Sequence, residues 1–299
     1  MILTWKLWRA LLTPPVHHPL FRWIGSQPSP GFQGLVTLIG PVGMSLLVGL
    51  VALGIWHDPY HIMPLLLNPS VAAVIGFLLF TGTVYGLIWA TTICALFKRL
   101  RESGQYDLLL LAPSTALTIN WAICTGLLYR SQSFTRINRQ RARITHLLLM
   151  LTTILFIPLL LGLSAGHEPY INEMLSIIIH IMTLTFAFQV DHIQSIIMGT
   201  LVGLNVPQWL PQMPDARLLA GVIFLMLQLT SYLLSWWIGF EALPQIIMLD
   251  SHLNAFGLPV LRVVVFCICR EAMIAALWHL LIHRLHLQPA PVDGLIPHR

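Results

Sequence analysis

The chain has 299 residues, of which 57% are hydrophobic and only 9% charged, with a formal net charge of +5 and a mean hydropathy of +0.79. Soluble domains carry roughly 25% charged residues, so a chain this apolar cannot cover itself with a polar surface. A water-soluble globule is excluded. An all-α integral membrane protein is expected, with a single transmembrane domain over residues 1–299.

Residues 3–24 gather Trp5, Lys6, Trp8, Arg9, Phe21, Arg22 and Trp23 around a Pro-His break. Trp beside Lys or Arg suits the membrane interface, so residues 1–30 read as an amino-terminal surface helix followed by a Pro/Gly/Ser linker. They lack the continuous apolar core of a cleavable signal. Apolar runs long enough to cross a ~30 Å hydrocarbon layer follow at roughly 34–56, 70–97, 144–165, 174–190, 216–239 and 258–283. They predict six transmembrane helices. Two shorter apolar stretches, 114–129 and 193–206, fit interfacial or re-entrant segments better than spans. Cys94, Cys124, Cys267 and Cys269 all lie in apolar runs and read as small core hydrophobes.

With the amino terminus inside, all of the 16 Lys and Arg except Arg262 and Arg270 fall on the inner side. The outer loops carry Asp58, Glu168, Glu173, Glu241 and Asp250. This bias predicts a multi-pass protein of the cell membrane with both termini cytoplasmic. The basic run Arg136 to Arg143 reads as a topology anchor beside anionic lipid and not as a nucleic-acid site.

The inner loop after the second span is the most patterned segment. Residues 98–113 run Lys-Arg-Leu-Arg-Glu-Ser-Gly-Gln-Tyr-Asp-Leu-Leu-Leu-Leu-Ala-Pro. A pure topology anchor has no need of Glu102, Gly104, Tyr106 and Asp107 in front of a Leu run and a Pro stop. An amphipathic helix on the cytoplasmic surface is expected, with its acidic and aromatic groups free for a soluble partner.

At these residues the chain resembles the permease subunits of type-two ATP-binding-cassette transporters. Arg101, Glu102, Gly104, Asp107, the Leu run and Pro113 match that family's coupling-helix pattern. His18-Pro19-Leu20-Phe21-Arg22 resembles its amino-terminal surface helix, and Trp121 to Gly126 sits where it often has a Gly-rich helix start. Gln105-Tyr106 departs from the usual small-then-aliphatic pair, and the basic stretch 130–146 is extra. The resemblance implies an exporter that works as a homodimer or paired permease. It also implies that Arg101, Glu102, Gly104, Tyr106 and Asp107 form the contact with a separate ATPase. ATP and Mg would sit on that partner. A phosphate loop needs Gly-Lys followed by Ser or Thr; the only lysines are Lys6 and Lys98, after Trp5 and Phe97. This chain carries no such loop, and the expectation is that it is not itself an enzyme.

Ionisable side chains inside spans cost ~2.5–3.5 kcal/mol on insertion scales and mark bundle interiors or wet paths. Arg262, Arg270 and Glu271 fall in the last span. Arg270 and Glu271 are adjacent and so point about 100° apart, too far to pair with each other. Asp191 and His192 read as a polar cap at the inner end of the fourth span. Thirteen histidines raise an alternative. His180, His192, His279 and His283 could ligate haem or chlorophyll, making the chain an accessory subunit of a redox or photosynthetic membrane complex. His279 and His283 are i,i+4 but lack a third ligand nearby in sequence, so no metal site is assigned.

Overall fold

A computed structural model describes residues 2–13, 69–111, 115–130, 168–209, 215–246 and 251–285, with Phe21 and scattered positions between 139 and 157. The described residues contain helices and no strand. The expected first span at 34–56 lies outside them, as does most of the third at 144–165.

Seven helices carry the fold: α1 (Leu3–Leu12), α2 (Pro69–Glu102), α3 (Gln105–Leu110), α4 (Ala116–Arg130), α5 (Glu168–Trp209), α6 (Ala216–Trp236) and α7 (Ser251–Arg284). The helix of α6 continues through a π-helical turn, Trp237–Ala242, into a last α turn, Leu243–Ile246. Pro244 explains the widened turn. It has no N–H to give residue 240, and its ring would crowd that carbonyl in a regular α ladder. Met174–Trp209 and Ala216–Gln245 are long and apolar enough to cross a membrane.

The long helices α2, α5, α6 and α7 form a bundle with α5 at its centre, and α1 and α4 close one end of it. From residue 194 to 206 α5 is buried on every side. The fourth span and the 193–206 stretch are therefore one continuous helix, which corrects the expectation of a cap at Asp191-His192. Gly199 and Gly203 are the reason. A Cβ on Gly203 would lie 2.8 Å from the Ala90 carbonyl, and one on Gly86 2.7 Å from the Ser195 carbonyl. Asp191, Ser195, Gly199 and Gly203 thus form a four-residue-spaced stripe against Gly82, Gly86 and Ala90 of α2. Small residues at this spacing let two helix backbones come nearly into contact.

The 114–129 stretch is α4, about 22 Å long at 1.5 Å per residue. Almost all of it is buried, including the whole of 119–128. It is a core helix and not an interfacial one. In α1, Leu7, Trp8 and Leu11 are buried while Trp5, Leu12 and the N-cap residue Ile2 are exposed. Trp8 therefore packs inside the protein, and only the opposite face is available to an interface.

What docks α1 is a carboxylate from the far end of the chain. The first N–H groups of a helix lack partners, and Ile2 at the N-cap cannot serve them. Glu271 of α7 does so instead. It accepts from the Thr4 backbone N–H at 3.0 Å and from the Thr4 hydroxyl. The negative charge also meets the positive end of the helix dipole. Glu271→Gln keeps the shape but removes the charge, and should weaken α1 docking by about 1 kcal/mol. Faster trypsin cleavage after Lys6 and Arg9 in the variant is the expected readout; an unchanged rate would refute the capping role.

Candidate functional site

Arg270 is fully buried, at 0% exposure, and so is Asp191 at 1%. Two adjacent charges on α7 therefore have separate duties. Glu271 faces α1, and Arg270 points into the centre of the bundle. An isolated buried guanidinium is prohibitive, so its neighbours must neutralise and bond it. Asp191 of α5 forms the ion pair through Nη1. Nη2 donates to Ser195 Oγ and to Gln228 Oε1, both at 2.8 Å. Tyr232 Oη donates to Asp191 Oδ1 at 2.8 Å. The Gln228 amide nitrogen lies 2.8 Å from Tyr232 Oη and 3.0 Å from Thr83 Oγ1. Above the guanidinium, the Tyr232 and Phe266 rings stack on each other, with the Arg270 carbon 5.6 and 5.3 Å from their centroids.

Each of the four long helices contributes to this network: Thr83 from α2, Asp191 and Ser195 from α5, Gln228 and Tyr232 from α6, Arg270 from α7. Gly82 of α2 makes the room, since a Cβ there would occupy the space of the Asp191 carboxylate. Asp191 with Ser195, and Gln228 with Tyr232, are i,i+4 pairs, so each shares one helix face. That spacing inside apolar runs was the signal available in the sequence for Ser195, Gln228 and Tyr232. Thr83 carried none.

His192 is buried beside Asp191 and meets the edge of Tyr85, with ring centroids 5.9 Å apart. His180 Nδ1 lies 2.7 Å from the Ser176 carbonyl. His279 and His283 are exposed on α7. Among the described residues no three His, Cys, Asp or Glu side chains gather where they could hold a metal. Cys94, Cys124, Cys267 and Cys269 are free thiols. Arg262 stands apart from Arg270, at the π-helical end of α6, where its Nε donates to the Gly239 carbonyl at 3.1 Å.

The patterned segment after α2 forms an elbow. Ser103 and Gly104 return their N–H groups to Arg99 and Arg101 carbonyls at 3.1 and 3.0 Å, and Gly104 turns the chain at φ +67°. Glycine is needed there for its conformation alone, because nothing lies within 4 Å of where its Cβ would be. Just before the turn, at the end of α2, Glu102 is exposed and 3.6 Å from Lys98. Asp107 is exposed as well, and the apolar Leu108 and Leu111 stand out, the latter at 81%.

Tyr106 corrects the expectation that the elbow's aromatic is free. It is buried at 4% exposure, packs edge-on against Phe97, and donates to Asn120 Oδ1 at 3.0 Å. Arg101 also points inward. Its guanidinium lies 5.1 Å above the Tyr106 ring and donates to the Pro207 carbonyl at 2.6 Å, in the last turn of α5. Arg101 and Tyr106 thus fasten the elbow to α4 and α5, while Glu102 and Asp107 face outward.

No protein-family model, curated protein or solved structure matches this chain. The network and the elbow must therefore be read from their chemistry.

Proposed function

We propose that the chain is the six-span permease subunit of an ATP-binding-cassette exporter, paired with itself or a second permease and driven by a separate ATPase. The elbow carries this reading. It is a turn through Gly104 at one end of an apolar bundle, with the acids Glu102 and Asp107 and the apolar Leu108, Leu110 and Leu111 left exposed, while Arg101 and Tyr106 anchor it within. A surface of mixed acid and leucine suits a partner that offers a basic rim around an apolar groove. The buried network holds the spans together at the level where a cargo path would have to open. The apolar composition and the two long apolar helices support the membrane placement in this reading.

Affinity purification from native membranes tests the proposal. Wild-type protein should bring down an ATPase that carries a phosphate loop. Glu102→Arg with Asp107→Arg should reduce its recovery about tenfold, as expected for loss of interface charges that match a basic rim. Both positions are exposed, so the variant should melt like wild type. Recovery of no ATPase with the wild-type chain, or equal recovery with the variant, would overturn the proposal.

A further inference from the structure

The outward face of α6 supplies a depth gauge. Leu218, Val222, Met226, Leu229, Leu233, Trp237 and Phe240 are all exposed and recur every three or four residues, so they form one stripe. From Leu218 to Phe240 it is about 32 Å long, which matches a ~30 Å hydrocarbon layer. Trp236 and Trp237 crowd its far end, as aromatic side chains do at a headgroup boundary. The Cys94 thiol near the inner end of α2 meets the Ala216 carbonyl at the start of this stripe. The elbow therefore lies at the stripe's beginning, and the π turn lies at the opposite boundary.

Arg262 sits at that opposite boundary. Its Nε is held by Gly239, and its guanidinium carbon lies 4.0 Å from the Phe240 ring centroid. Backbone and ring together fix the plane of the group. Among the described residues its two terminal nitrogens make no hydrogen bond or ion pair. A guanidinium bonded through Nε alone keeps its Nη1–Nη2 edge, a fork that matches two oxygens of one phosphate.

We propose that Arg262, held by Gly239 and Phe240, is a binding site for the phosphate of a membrane phospholipid in the leaflet opposite the elbow. The Trp236 and Trp237 rings flank the headgroup, and the α6 stripe lines the acyl chains. The site rests on the membrane placement of α6 and not on the permease reading; recovery of an ATPase has no bearing on it.

The test is native mass spectrometry of the full chain released from vesicles of phosphatidylglycerol and phosphatidylcholine. Wild type should retain phospholipid after detergent washing. Arg262→Gln should retain about tenfold less, the usual scale for a lost charge-assisted pair. Arg262→Lys, with charge but no fork, should fall between. Arg284→Gln, on the other end of α7, should match wild type. Circular dichroism melts show whether each variant is folded, and Phe240→Leu provides a second route by freeing the guanidinium plane. Equal retention by Arg262→Gln and wild type overturns the site, and so does equal loss with Arg284→Gln. Displacement by inorganic phosphate at matched concentration overturns the lipid assignment.

Discussion

Asp191→Asn is expected to destabilise the bundle by about 3–5 kcal/mol, because it leaves the Arg270 guanidinium buried without its counter-charge. The substitution keeps the size of the side chain and its bond from Tyr232, so neither a cavity nor a clash confuses the result. Arg270→Met removes the other partner. It leaves Asp191 buried with only Tyr232 donating to it, and should cost a similar amount. The informative variant is the double. Asp191→Asn with Arg270→Met replaces two buried charges by neutral groups of similar volume, and such replacements are often close to neutral. The double variant should therefore be more stable than either single, with a coupling energy of up to about 3 kcal/mol. Thermal or denaturant unfolding in detergent micelles measures all three. Additive losses in the double would refute the pair.

A comparable loss is expected from widening the α2–α5 contact. Gly86→Val and Gly203→Val each place side-chain atoms against a backbone carbonyl, of Ser195 and Ala90 respectively. A carbonyl within a helix cannot rotate aside, so the helices must separate, and each substitution should cost about 1–3 kcal/mol. Separation at Gly86 also draws Thr83 away from Gln228, which adds to the loss there. Gly257→Ala is the control. A Cβ at that position meets nothing within 4 Å, and removing a helical glycine should stabilise by about 0.5–1 kcal/mol. The same unfolding assay compares them. Equal stability of Gly86→Val and wild type would mean that the two helices are not in contact.

The placement of α2 was legible in the sequence, because a long uncharged run ends at Lys98 and a glycine follows. Arg270 and Glu271 were legible as a pair of adjacent charges with separate partners. The identity of those partners was not. Asp191 is 79 positions from Arg270, and Thr4 is 267 from Glu271; local pattern holds no information at such distances. The misreading of α5 has the same origin. A carboxylate in an apolar run reads as the end of a span unless its counter-charge is known. Gly199 and Gly203 read as interruptions unless the neighbouring helix is in view. Tyr106 misled for a subtler reason. Its neighbours Gln105 and Asp107 are exposed, and one turn of helix is too short for periodicity to tell an anchored ring from a free one.

The cap on α1 has a consequence for the order in which the protein is made. A ribosome releases the first helix long before residue 271 exists, since chains emerge at about 5–20 residues per second. During that interval the N-terminal N–H groups of α1 have no carboxylate to meet, and Leu7, Trp8 and Leu11 have no complete surface to cover. Packing of α7 supplies both the Glu271 carboxylate and part of that surface. The first turn of the chain thus acts as a seal that closes only after its last described helix is in place.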